Sequence, residues 1–164
     1  MNERRDAVDH IAAQWAEERP DLDVKPMEVV GRLHRLAALL DEELRRVFAQ
    51  ADLGNGDFDV LAALRRAGEP FTLTASELGA ATMVTSGAVT KRVDRLEARG
   101  LVVRTIGTHD GRARAITLTD EGRRLQEELH PQHLANEDHL LRSLDAGQRD
   151  TLADLLRTVL LDVE

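Results

Sequence analysis

Apolar residues recur at steps of three and four along Val30, Leu33, Leu36, Ala37, Leu40, Leu44 and Val47. That period predicts a long amphipathic helix over about 27–51. A shorter helix is expected over 4–19, with Val8, Ile11, Ala12 and Trp15 on one face and Pro20 ending it. Residues 20–26 read as a loop. Gly54-Asn55-Gly56 breaks the chain, and either Asn55 or Asp57 is placed to cap a helix carrying Phe58, Leu61 and Leu64. Gly68-Glu69-Pro70 closes that helix and leaves Phe71 in a short β-like link.

Between residues 74 and 119 the pattern changes repeatedly. Thr74 with Glu77 makes a capping box that opens a helix over 74–80. After a turn at 82–85, a second helix over 86–99 lines up Val89, Val93 and Leu96 and stops at Gly100. The runs 101–106 and 115–119 are β-rich, and His109-Asp110-Gly111 between them is a hairpin turn flanked by arginines. A short helix, a turn, a second helix and a hairpin, in that order, are the parts of a winged helix-turn-helix, and such a unit points to DNA binding.

Further on, Thr119 caps a long helical region whose first turn holds Asp120 and Glu121, where the helix dipole favours acids. Pro131 is expected to kink or interrupt this region. Asp145 and Gln148 box a terminal helix bearing Leu152, Leu155, Leu156, Val159 and Leu160. The expected fold is therefore mainly α with a small β-wing. Residues 1–53 supply N-terminal helices for dimerisation and a ligand-pocket wall, 54–119 the winged head, and 120–164 the C-terminal dimerisation helices. The outer helices carry more apolar surface than so small a head can cover. That predicts a homodimer, and two-fold symmetry suits a palindromic DNA site.

Composition narrows the function. The chain of 164 residues has no cysteine, which excludes disulfides, thiolate metal sites and cysteine-based redox sensing. No run resembles a signal peptide or approaches the ~18 apolar residues of a membrane span, so a soluble, cytoplasmic protein without membrane partners is expected. The net charge of −8 is unusual for a nucleic-acid binder. Residues 85–114, however, hold seven basic and three acidic side chains, a local excess of +4. Charges beyond a Debye length of ~8 Å are largely screened, so this patch still attracts phosphate.

The candidate contacts follow from residue type. Thr85, Ser86, Thr90, Lys91 and Arg95 occupy the outer face and N-terminal end of the second helix. Hydroxyls suit phosphates and base edges there, while lysine and arginine suit guanine edges and the backbone. Taken alone, such a face is also what a solvated helix presents; the following hairpin favours DNA. Arg112 follows the hairpin turn, where a narrow minor groove attracts an arginine. Arg114 either joins it or pairs with Asp110. No nucleophile–base pair, glycine-rich phosphate loop or HExxH motif is present, so neither catalysis nor a cofactor is expected. His130, His133 and His139 have a spacing common on exposed helices, and Pro131 lies among them, so no metal site is expected.

The run SGAVTKRVDRLEARGLVVR followed by DGRARAITLTDEG resembles the MarR (multiple antibiotic resistance regulator) family of bacterial repressors, and the likeness extends over about 27–160. The family's wing pattern is met by Asp110, Arg112, Leu118, Thr119 and Gly122. The resemblance implies a homodimer made by terminal helices, with each winged head reading half of a palindromic operator. It also implies that a small molecule, often an aromatic acid, binds between head and dimer region and weakens DNA binding.

The extension QWAEERPDLDVKPMEVVGRLHRLA resembles the added N-terminal helix of a urate-responsive subgroup. By that resemblance Trp15, Asp59 and Arg92 line a ligand pocket, while the subgroup's asparagine falls here at Ala67. The expected effector is then a small aromatic anion such as urate or a phenolic compound. It would stack on the indole and compete with Asp59 for Arg92, pulling on the reading helix. The rival reading is a winged-helix protein-interaction module without sequence-specific DNA binding.

Overall fold

A computed structural model describes residues 5–82, 86–106 and 114–164, the side chains of 86–88, 106 and 114 being left aside. The chain divides into two compact units, Met1–Glu43 and Leu44–Glu164. In the first, α1 (Ala7–Glu18) begins at Asp6, whose carboxylate accepts the Val8 and Asp9 N–H groups. Asp9 accepts the Asp6 N–H in return. The same two carboxylates hold Arg32 of α2 (Lys25–Ala49) at 2.9 and 2.6 Å. Val8 and Ala12 are buried between the helices, and Gly31 leaves room for Val8.

The second unit takes in the end of α2 and then α3 (Asn55–Arg66), β1 (Thr72–Thr74), α4 (Ala75–Ala81), α5 (Ser86–Ala98), β2 (Val102–Ile106), β3 (Arg114–Leu118), α6 (Asp120–Leu140) and α7 (Ala146–Val163). Its core is mainly aliphatic, with Leu61, Leu64, Leu78, Val93, Leu96 and Val102 fully buried. Burying each such side chain contributes about 1.5–3 kcal/mol. Two of the phenylalanines join helices: Phe48 of α2 stacks on Phe58 of α3 with centroids 4.3 Å apart. His133 of α6 leans on both rings, at 5.2 and 5.3 Å.

The sheet has three antiparallel strands in the order β1-β3-β2. Phe71, expected as a β-like link, lies outside the strand with a φ of +58°, and a true strand follows it at Thr72–Thr74. It pairs Thr72 with Thr117 and Leu73 with Ile116, and the two threonine hydroxyls lie 2.8 Å apart. This strand ties the chain entering α4 to the chain leaving the hairpin.

Two local expectations need correcting. Neither Asn55 nor Asp57 is the N-cap of α3; Gly54 is, and it has no side chain to cap with. Asp57 works from inside the first turn, accepting the Gly54 N–H at 3.0 Å. Nor does Pro131 interrupt α6, which is continuous across it. Proline removes one backbone bond, and the helix is held around it by buried Gln126 and Leu129 and by the tilted and edge-on contacts of the His133 ring with Phe48 and Phe58. The hairpin turn His109-Asp110-Gly111 lies outside the described residues.

α7 has no buried residue, and it leaves Leu155, Val159, Leu160 and Leu161 more than half exposed. Along α2, Val29, Val30, Leu36 and Leu39 are likewise exposed. No helix among the described residues is long and apolar enough to cross a membrane.

Candidate nucleic-acid interface

The helix pair that would meet DNA is built from local signals. Thr74 caps α4: its hydroxyl oxygen accepts the Glu77 N–H at 3.2 Å, and Glu77 accepts both the Thr74 N–H and its hydroxyl proton at 2.8 Å. These bonds, the backbone one first, hold the Glu77 carboxyl below the usual glutamate pKa. A carboxylate with a lowered folded pKa contributes stability above its unfolded pKa, and that contribution is lost as pH falls through the folded value. Thermal unfolding followed from pH 6 down to pH 3 is therefore expected to show a shallower acid loss in Glu77→Gln than in the parent. Identical slopes would show that the box carries no pH-dependent energy.

α5 buries Val89, Val93 and Leu96 against this scaffold. Its chain reverses at Gly100, whose φ of +71° is readily adopted by glycine. Thr90 and Lys91 face outward and are exposed. Ser86 opens the helix and Arg114 opens β3. Thr85 and Arg112 lie outside the described residues.

The basic residues of this segment are not equally available. Arg95 donates through Nη2 to Asp57 Oδ1 at 2.6 Å, and the side-chain exposures are 58% for Arg95 and 7% for Asp57. One arm of its fork is thus committed to α3, while the rest of the side chain remains exposed. Arg99 donates to the Ala51 and Asp52 carbonyls at 2.8 and 2.7 Å, closing the end of α2. Arg104 of β2 reaches back to Asp94 and Glu97 of α5. Burial disfavours its charge, but the bonds to Asp94 and Glu97 outweigh this and raise its pKa.

Arg92 is half-buried, and its guanidinium lies over the first turn of α3. A Cβ on Gly56 would fall 2.0 Å from the Arg92 Cζ. Its Nη1 is buried and meets no hydrogen-bond acceptor among the described residues. Asp59 is half-buried on the same helix as Gly56, and Trp15 is 46% exposed on α1 in the other unit. Among the described residues no group of histidines and acids is arranged to hold a metal ion; His133 instead packs on the two phenylalanines, with Nε2 3.3 Å from Glu137.

Sequence reasoning missed three participants: Asp57, Arg99 and Arg104. A signal existed for the first, an acid three residues after a glycine at a helix start. It existed also for the last, because Asp94 and Glu97 are one turn apart and share a face. What no local pattern indicates is the pairing of Asp57 with an arginine 38 residues away.

Comparison with known proteins agrees with this arrangement. A model described as MarR family matches residues 51–113. The chain is 40% identical over 152 residues to the HTH-type transcriptional regulator PecS of Dickeya dadantii, covering 93% of this chain and 92% of that protein. A mutant MarR from Escherichia coli, solved in complex with operator DNA, is 30% identical with a TM-score of 0.72, covering 89% of this chain and 97% of that one. BpsR of Bordetella bronchiseptica, whose DNA binding is regulated by 6-hydroxynicotinic acid, is 28% identical with a TM-score of 0.71, covering 79% and 91%. These relatives are regulators and not enzymes. The chain belongs to the MarR family of transcriptional regulators, whose winged helix binds DNA.

Proposed function

We propose that this protein is a cytoplasmic, ligand-responsive repressor that binds a palindromic operator as a homodimer and is released by a small aromatic anion. The observation that carries the DNA part is the exposed Thr90–Lys91 edge of α5, placed over a buried Val89–Val93–Leu96 face and beside a three-stranded wing sheet. Ser86, Thr90, Lys91 and the outward arm of Arg95 would enter the major groove, with Thr85 at the preceding turn. Arg112 and Arg114 would serve the wing in the adjacent minor groove. Residues 54–119 are the reading head on this proposal; 1–53 and 120–164 are the dimerisation segments. The uncovered apolar faces of α2 and α7 support a second copy as their cover. In such a dimer the two α5 helices would address half-sites about 34 Å apart.

The effector part rests on Arg92, a half-buried cation with one arm lacking an acceptor. An aromatic carboxylate or urate anion would supply that acceptor, with Asp59 as the competing acid; Trp15 is proposed as a ligand contact on the family resemblance alone. The regulation of BpsR by 6-hydroxynicotinic acid supports an effector of this size and charge.

Gel shifts on the intergenic DNA beside the protein's own gene, with and without urate and simple phenolic acids, test both parts. Trp15 is the chain's only tryptophan and there is no tyrosine, so its emission follows α1 directly. The expected result is salt-sensitive DNA binding that an aromatic acid reverses with a change in emission. Salt-independent or absent DNA binding would favour the protein-interaction module instead. Gly56→Ala separates the two parts, because its methyl displaces the flexible Arg92 head and leaves the outer face of α5 untouched. This variant should keep its DNA affinity and respond to the acid about ten-fold more weakly, about 1.4 kcal/mol. An unchanged response would remove Arg92 from the pocket.

A further inference from the structure

β2 turns back along α5 immediately after Gly100, and Arg104 is its third residue. Glu97 of α5 grips this residue twice, accepting its backbone N–H at 3.1 Å through Oε1 and its guanidinium through Oε2. The other arm of the guanidinium meets Asp94 at 2.5 Å. The Arg104 side chain is only 21% exposed, so the fork is largely enclosed by its partners and has little reach outward. Arg104 stands opposite buried Ile116 in the register of β2 and β3. Between α5 and this pair of strands lies a hollow of about 220 Å³, lined by Val89, Thr90, Val93, Asp94, Arg104 and Ile116. β2 therefore meets α5 in two places, through the buried core that holds Val93, Leu96 and Val102 and through the acid–arginine clamp beside the hollow.

We propose that Arg104 is the positioning residue of the wing: gripped by Asp94 and Glu97, it sets the angle between the hairpin and α5 and touches no DNA itself. The inference rests on the reading that α5 and the hairpin meet the duplex together. Two rigid contacts on one duplex bind as a unit only if their spacing is fixed beforehand; otherwise ordering the hairpin on DNA costs affinity. The clamp has a second effect, in that the single charge of Arg104 offsets one of the two carboxylate charges that α5 carries there. The experiment has to separate these two effects.

Hydroxyl-radical footprinting and salt titrations on a duplex that the wild-type protein selects from a random-sequence pool provide the readout. Wild type should protect major-groove backbone and the flanking minor groove. Arg104→Met, which keeps the aliphatic stem, should bind about ten-fold more weakly. It should lose the flanking protection while keeping that of α5, and its salt slope should fall by about 0.9 for each phosphate contact surrendered. Arg104→Lys, able to pair with one of the acids, should recover part of both. Adding Asp94→Asn to Arg104→Met returns the charge of the cluster to that of wild type and should not restore binding. Full recovery in that double variant would make Arg104 a charge mask and overturn the proposal. Equal loss of both protections in Arg104→Met would make it a general stabiliser, with the same consequence. A wild type lacking flanking protection would overturn the reading of the hairpin itself, and the inference with it.

Discussion

Gly122→Ala is expected to be among the most damaging single-methyl changes this protein can receive. A Cβ at that position falls 2.0 Å from the Leu101 carbonyl oxygen and 2.9 Å from its carbon. Both are backbone atoms at the start of the strand that leaves α5, and their neighbours Leu96 and Val102 are fully buried. Neither side can yield without moving α6 or the α5–β2 turn. The junction is also fastened from the other direction, since the Thr119 hydroxyl donates toward the Gly100 and Leu101 carbonyls and accepts the Gly122 N–H at 3.0 Å. Overpacking of this kind costs about 3 kcal/mol or more. At about 2–4 °C per kcal/mol, the apparent melting temperature should drop by roughly 10 °C. The methyl would also lie 3.0 Å from Leu118 Cδ1. Adding Leu118→Ala therefore tests the cause. Rescue by that change would place the clash on the leucine side chain and overturn the backbone account.

Arg95→Ala is the second large effect. It strands the Asp57 carboxylate, whose side chain is 7% exposed, leaving it the Gly54 N–H as its remaining described bond. Breaking a buried ion pair from one side costs about 3–5 kcal/mol. Arg95 is itself 58% exposed and water screens the pair, so a loss of about 2 kcal/mol is the expected size. DNA binding should fall as well. The double variant Asp57→Asn/Arg95→Ala sorts the reasons, because an asparagine still accepts the Gly54 N–H and carries no charge. Stability should largely return in the double variant, while DNA affinity should not, because the outward arm of Arg95 is still missing. If affinity returned too, Arg95 would act on DNA only through its hold on α3. An unfolding curve unmoved by Arg95→Ala would show that the pair contributes no net energy.

These two predictions concern residues that the sequence marks for one role and the structure uses for another. Gly122 stands in the sequence as part of a family pattern, and Arg95 as one more cation on a basic helix. The local excess of +4 between residues 85 and 114 is a correct count, yet it overstates how much cation is free. Asp57 lies outside that window and takes one arm of Arg95, and the two acids within α5 take Arg104. Among the described residues of α5, Lys91 is the exposed cation for which the structure gives no internal role.

The sequence alone determined most of the elements and several of their ends. The boxes at Thr74–Glu77 and Asp145–Gln148, the cap at Thr119 and the reversal at Gly100 all close within three or four residues. Their geometry is therefore set by local backbone chemistry before any helix meets another. The inward face of α5 was legible for the same reason, since Val89, Val93 and Leu96 share a stripe at helical period. Only the tertiary structure decided which arginine serves which acid, why Gly122 admits no methyl, and that a strand follows Phe71. Each of these depends on where two segments far apart in the chain come to rest. Helix packing and strand register decide that, and a guanidinium within reach of several carboxylates pairs with the one that packing leaves buried and nearby.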